Sequence, residues 1–284
     1  MILFVIVIFK IDVESCITYK TLQSSMHKTI GRDDHILVLN NTPKKVEARD
    51  LGPGTTYVEF GENLGLAKAY RYGLNFCKKN DIEFMGTFDQ DSIITVAYLS
   101  AVHAEIQKNP GAEISFCPVI FCRERRISPY VLSRFGVPRF KDAEDSLYAI
   151  NSFSMHSVRG LSRSDAIDDY YWLDALDFVI FEKLHRNAVR VKKIDVSVEH
   201  DLSVLNSSVP HFRVMNMVRY ETAFLFQYCG VIRIFVNLTR LFLRANRVIS
   251  KNIEIKARFE IINNIVNGAK DGLSNKKNLR GLFP

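Results

Sequence analysis

An unbroken apolar run, ILFVIVIF at residues 2–9, opens the chain, and short runs of the same kind recur. They are HILVLNN at 35–41, TTYVEFGEN at 55–63, IEFMGTFDQDS at 82–92 and EISFCPVIF at 113–121. Each has the length of a strand. Between them lie stretches with helical spacing. They cover residues 15–30, 65–80, where Leu66, Tyr70, Leu74 and Cys77 share one side, and 94–109, closed by Asn109-Pro110-Gly111. Apolar strands alternating with helices of 12–16 residues predict an α/β fold: a mostly parallel, Rossmann-like sheet flanked by helices on both faces. A further strand is predicted over KIDVSVEH, residues 193–200, and no internal repeat is visible.

The polar punctuation of this pattern is informative. In open parallel sheets, ligands bind beyond the carboxyl ends of the strands. Three runs end there in polar groups: Asn40-Asn41, Glu62-Asn63 and Asp89-Gln90-Asp91. Two aspartates at i and i+2 past a strand end converge on one cation if the backbone turns between them. Mg²⁺ and Mn²⁺ favour such hard oxygen ligands and keep positions open for phosphate oxygens. The plainer reading is a solvated turn, or a helix N-cap by Asp91 or Ser92.

Composition changes the picture mainly through charge. The 284 residues are 47% apolar and 24% charged, an ordinary globular balance with room for one large domain or one and a half. The first apolar run is too short for a membrane span of about 20 residues. It lacks a basic leader and a cleavage site, so a buried first strand is expected. Five cysteines without a CxxC pair suit reduced thiols in a cytoplasmic protein, where the sequons at Asn206 and Asn237 carry no weight. The net charge of +7 is unevenly placed: residues 206–284 hold 13 Lys/Arg against four Asp/Glu, leaving the first 205 at −2. The expected division is a body over 1–205 and a basic, amphipathic helical extension over 206–284. From Phe224 to Val248 the pattern is helical, with Arg233, Asn237, Arg240, Arg244 and Arg247 on one face and Ile234, Phe235, Leu238, Leu241, Phe242 and Leu243 filling the rest. Such a helix lies in an interface with anionic lipid, or packs on the body with its arginines in water. Nucleic acid is not expected: no binding motif appears, and aromatics are not interleaved with the charges.

FGENLGLAKAYRYGL followed by FMGTFDQDS resembles the family 2 glycosyltransferases of the GT-A fold, particularly the rhamnosyltransferase-like group of bacterial surface-polysaccharide synthesis. The matching positions are Asn63, Gly65, Ala67, Ala69, Gly73 and Asp89-Gln90-Asp91-Ser92. The segments at 168–203, 212–224 and 270–278 resemble the family's acidic, Arg-bearing and C-terminal stretches. Departures are Asn40-Asn41 where the family often has Asp-Asn, Arg71 where an Asn is usual, and LDALDFVIF, which turns apolar after Asp177.

The resemblance implies inverting transfer of a sugar, plausibly rhamnose, from a dTDP- or UDP-sugar to a lipid-linked glycan acceptor at the inner face of the cytoplasmic membrane. It implies Mn²⁺ or Mg²⁺ on Asp91 and Asp89, with His200 as third ligand. It places Asp177 as base, with Asp174 as second choice. Three residues apart, the two share a face if both are helical. Helix N-terminal acids favouring the macrodipole are the alternative. An Asp among Leu176, Phe178, Val179 and Ile180 has its pKa pushed upward, as suits a base. Asn63, Gly65 and Lys68 are expected along the donor pyrophosphate or sugar, with Phe9 and Asn40 joining the donor contacts at the first two strand ends. Arg219 either reaches the diphosphate or is a solvated helix Arg, and residues 150–160 are expected in the acceptor pocket. The rivals are a metal-dependent nucleotidyltransferase using the same Asp-x-Asp, and a non-catalytic peripheral membrane protein of the same fold.

Overall fold

The computed structural model describes residues 1–28, 34–43, 49–140, 147–201, 210–249 and 255–280. The described chain divides into two compact units. One comprises Met1–Val131 and Phe140–His200, and the other comprises Leu132–Arg139 and Asp201–Pro284.

In the first unit the predicted alternation holds. Strands β1 (Ile2–Ile8), β2 (His35–Asn40), β3 (Thr55–Glu59), β4 (Phe84–Asp89) and β5 (Ile114–Cys122) alternate with helices α1 (Ile17–His27), α2 (Gly65–Lys79) and α3 (Val96–Lys108). Strand β6 (Arg125–Ser128) pairs antiparallel with β5, and the two-residue strands β7 (Val131–Leu132) and β8 (Pro138–Arg139) follow in the chain, β8 belonging to the second unit. Strand β9 (Ser154–Ser157), helices α4 (Val158–Arg163) and α5 (Leu176–Arg186), and strand β10 (Arg190–Glu199) complete the unit. The main sheet runs β10-β5-β9-β4-β1-β2-β3. The β1/β2, β1/β4, β2/β3 and β5/β10 pairs are parallel, whereas β9 runs antiparallel between β4 and β5.

Strand β1 shows why a continuous apolar run was needed. All seven residues are buried. Ile2, Phe4, Ile6 and Ile8 enter a core that also takes Leu22 of α1 and Tyr98, Leu99 and Val102 of α3, while the alternate residues face the other side, where α2 contacts β1. Each such fully buried side chain contributes roughly 1.5–3 kcal/mol. The parallel order brings the carboxyl ends of β1, β2, β3 and β4 to one edge.

The second unit holds α6 (His211–Tyr228), α7 (Val231–Ile249) and α8 (Ile255–Arg280). Val214, Met215, Met217, Val218, Leu241, Ala245 and Ile261 form its core. A Cβ at Gly268 or Gly272 of α8 would stand 2.3 Å from the carbonyl oxygen of Arg219 or Ala223 on α6, so both helices need these glycines for their close approach. Two expectations are corrected here. The helix predicted over Phe224–Val248 breaks at Cys229, whose backbone is extended (φ −104°, ψ 156°). The polar stripe on α7 is also not turned to water as a whole. Arg233 Nε donates to the Arg134 carbonyl at 3.1 Å and Asn237 Nδ2 to that of Phe135 at 2.8 Å. The exposed positions of α7 are instead Val231, Ile232, Phe235, Thr239 and Leu243, with Arg240 and with Arg244, which pairs with Glu221. The Arg247 side chain lies outside the described residues, as do residues 202–209, which hold Asn206 and the expected boundary at 205/206.

Candidate active site

The Asp89–Ser92 turn is pinned by its backbone, which turns its carboxylates outward. Thr18 Oγ1, in the first turn of α1, donates to the Asp89 carbonyl and accepts from Ser92 N at 2.8 Å. Phe9 N donates to Gln90 Oε1 at 2.8 Å, so the Gln90 side chain ties the end of β1 to the end of β4. Ser152 Oγ accepts from Asp89 N at 3.3 Å and meets Ser92 Oγ at 2.9 Å. Gln90 and Ser92 serve as ties, and Asp89 and Asp91 face solvent: the Asp89 side chain is 41% exposed and Asp91 is exposed.

His200 follows directly on β10, and its N–H donates to the Phe121 carbonyl at 2.9 Å, extending the ladder with β5. Its ring is 3% exposed, sits edge-on to Phe153 and brings Nε2 to 3.2 Å from Asp89 Oδ2. One ligand atom from each of Asp89, Asp91 and His200 lies within 4.8 Å of the others. Two carboxylates and an imidazole at that spacing fit a divalent cation of the Mn²⁺ type.

Asp177 occupies the first turn of α5. Its carboxylate is pushed up from 3.8 to about 7. Loss of hydration is the largest cause, the negative charges of Asp89 and Asp174 add to it, and the Asn151 N–H and His200 oppose it. Asp174 does not share the helix: α5 begins at Leu176, after Ala175 in the left-handed region at φ 63°. The expectation that both carboxylates share a helix face is therefore corrected, because the turn at Ala175 separates them.

The other expected residues divide. Gly65 opens α2 at φ +79°, and a Cβ there would stand 2.3 Å from Trp172 Cδ1. The first N–H groups of α2 are taken by protein acceptors: Gly65 N by Asn63 Oδ1 at 3.1 Å and Leu66 N by the Trp172 carbonyl at 2.7 Å. Asn63 and Gly65 thus build the loop that seats Trp172, and the first amides of α2 are not presented to a phosphate. Lys68 is exposed on α2. Arg71 ties α2 to the acidic segment, with Nε 2.8 Å from Asp169 Oδ1. Asn40 is fully buried; its amide donates to the Tyr57 hydroxyl at 2.8 Å and its Oδ1 accepts from Thr42 N at 2.9 Å. Phe9 contributes its backbone N–H to Gln90. Arg219 belongs to the second unit, where its guanidinium forks onto Asp271 Oδ2 at 2.9 and 2.8 Å. The first unit thus gathers Asp89, Asp91, His200, Asp177 and Asp174. Sequence reasoning missed Thr18 and Trp172, which position this set, and expected Ser152 only as part of the 150–160 acceptor stretch, not as a tie to Asp89 and Ser92. Only Trp172 left a signal, as the sole Trp of the chain, inside the acidic segment.

Residues 6–169 match the profile of "Glycosyl transferase family 2". The chain belongs to glycosyl transferase family 2. Solved structures agree on the fold. S. aureus TarS 1-349 superposes with a TM-score of 0.59 at 15% identity, covering 97% of this chain and 83% of that one. The same fragment in complex with UDP-GlcNAc gives 0.60 at 15%, covering 97% and 84%. GalNAc-T7 with UDP, GalNAc and Mn²⁺ gives 0.57 at 12%, covering 96% of this chain and 56% of that one. No curated protein matches at a significant level. As a family 2 member with the GT-A architecture, the protein is a glycosyltransferase.

Proposed function

We propose that this glycosyltransferase moves a sugar from a nucleoside-diphosphate sugar to a glycan hydroxyl with inversion, in a single displacement. The observation that carries the reading is the adjacency of the Asp89–Asp91–His200 cluster to Asp177, whose pKa lies near 7. Asp89, Asp91 and His200 would hold the cation. When bound, a divalent cation neutralises charge developing on a departing diphosphate. Asp177, whose affinity for a proton is raised by loss of hydration, takes the acceptor hydroxyl proton as that oxygen attacks C1 of the sugar and the diphosphate oxygen leaves. Asp174 raises the affinity of Asp177 for the proton. Trp172, over the mouth of α2, and Asn151, whose N–H holds Asp177, orient the acidic segment. Fixed placement of donor and acceptor supplies much of the rate.

The sequence resemblance favours a rhamnosyl donor, a lipid-linked acceptor in surface-polysaccharide synthesis, and work at the inner membrane face. Among the described residues no helix is long and apolar enough to cross a membrane. The exposed Ile232, Phe235 and Leu243 beside Arg240 and Arg244 support peripheral binding to an anionic surface. The test is a thermal-shift panel of dTDP- and UDP-sugars with and without Mn²⁺, since a ligand of the folded state raises its stability. A metal-dependent shift with one donor is expected. No shift with any donor would refute a nucleotide-sugar enzyme.

A further inference from the structure

Helix α8 carries a face that the packing of its unit does not use. On one side Gly268 and Gly272 let it press against α6, and Ile261 is fully buried in the same core. On another side Phe259, Ile262, Val266 and Leu273 recur at steps of three, four and seven, so they form a single stripe. At 3.6 residues per turn that stripe stands about 120° around the helix from the two glycines. Its members are 67%, 49%, 44% and 49% exposed. Single apolar side chains on a surface are ordinary, whereas four in line over about 21 Å of helix mark a contact face.

The charged groups of this stretch are sorted by sign. Its two acids, Glu260 and Asp271, are engaged by α6: Glu260 Oε2 lies 3.2 Å from His211 Nε2, and Asp271 Oδ2 takes the Arg219 guanidinium at 2.9 and 2.8 Å. Its cations Arg258 and Lys270 are exposed. The face therefore offers an apolar stripe with positive charge beside it and its negative charge compensated. That combination complements a layer of anionic groups lying over hydrocarbon, which is the surface of an anionic bilayer. A second copy of the chain fits the face less well. Pairing would set two basic faces against each other, and four side chains cover far less than the roughly 800 Å² per partner of a stable protein interface.

We propose that α8 is a lipid-contact helix in its own right, lying along an anionic bilayer with Phe259, Ile262, Val266 and Leu273 at the boundary between headgroups and acyl chains. Arg219 then has a task apart from the diphosphate: its fork keeps the Asp271 charge compensated next to the lipid. The inference rests on the membrane reading above, which used α7 alone, and the experiment separates the two helices. Phe259→Trp on α8 and Phe235→Trp on α7 are each titrated with phosphatidylcholine vesicles, with and without phosphatidylglycerol, whose acyl chains carry bromine as a quencher. The wild type, with Trp172 as its sole Trp, supplies the background. Phe259→Trp emission should shift to the blue and be quenched when phosphatidylglycerol is present. Phe259→Ser/Ile262→Ser should weaken vesicle binding by about 10-fold or more, with an unchanged melting temperature. Quenching of Phe235→Trp without quenching of Phe259→Trp would overturn the α8 assignment and leave the membrane reading standing. Quenching of Phe259→Trp that ignores phosphatidylglycerol would overturn the anionic partner. A dimer in sedimentation velocity that Phe259→Ser/Ile262→Ser dissociates would make the stripe a contact between copies and overturn the proposal. A wild type that binds none of these vesicles would overturn the membrane reading itself, and this inference with it.

Discussion

Replacing Asp177 with Asn gives a test in which stability and activity must move in opposite directions. Asp177 binds its proton more tightly in the folded chain, at about 7, than at its ordinary value of 3.8. A raised carboxylate pKa means that folding stability is lost as pH rises between those two values and stays lost above the upper one. Three pH units correspond to about 4 kcal/mol, an upper bound because part of the Asp177 surface meets solvent. The amide introduced by Asp177→Asn never ionises, and its carbonyl oxygen can still accept from the Asn151 N–H. Asp177→Asn should therefore match the wild type near pH 4 and exceed it at pH 8 by up to about 4 kcal/mol, on the order of 10 °C in melting temperature for a unit of this size. The measurement is a pair of melting curves against pH in EDTA; groups common to both proteins cancel in the difference. The same variant should lose about 10²- to 10⁴-fold in turnover, as removal of a general base does, mainly in kcat. A variant no more stable than the wild type at pH 8 would refute the burial argument. An active one would refute the assignment of the base, and a loss of turnover in Asp174→Asn alone would move it to Asp174, outside α5.

Asp91→Asn should weaken Mn²⁺-dependent nucleotide binding by at least about 10- to 100-fold, the loss usual for perturbing a metal's outer partners alone; unchanged calorimetric affinity would remove Asp91 from the cluster. His200→Ala should lower activity in a way that excess Mn²⁺ partly restores, whereas a loss that metal cannot rescue in a folded protein gives His200 another task. Gly65→Ala forces an L side chain to φ +79° against Trp172 and should cost about 2 kcal/mol or more in urea unfolding; a neutral effect would mean that Trp172 yields without cost. Ile232→Ser/Phe235→Ser should weaken binding to anionic vesicles in co-sedimentation by about 10²- to 10⁴-fold, at about 1.5–3 kcal/mol for each side chain withdrawn. Arg240→Gln/Arg244→Gln should instead flatten the salt dependence, at about 1 kcal/mol per charge. Vesicle binding unaffected by both pairs would exclude α7 as the membrane contact.

The sheet was legible because parallel strands buried on both faces must be written as continuous apolar runs, as at residues 2–9 and 35–41. Strand β9 was not, since Ser154-Met155-His156-Ser157 is four residues long and polar at three of them. Its burial is offset by specific bonds such as Ser115 Oγ to His156 Nδ1 at 2.9 Å, which no periodicity announces. The Asp89–Asp91 pair was legible as polar punctuation at a strand end. The start of α5 was not, because a left-handed Ala175 has no composition signal. Periodicity placed Arg233 and Asn237 on one face of α7 correctly, but it cannot say which face meets protein, and carbonyls of Arg134 and Phe135 decided that.

The central claim is tested most directly by product analysis. The wild-type protein is incubated with Mn²⁺, a donor that shifts its melting temperature and a glycan acceptor, and the released phosphates and the new glycosidic bond are identified by chromatography and NMR. The account predicts nucleoside diphosphate in equal amount to a glycoside of inverted anomeric configuration, with both absent in Asp177→Asn. Release of pyrophosphate, retention of configuration, or undiminished product from Asp177→Asn would contradict it.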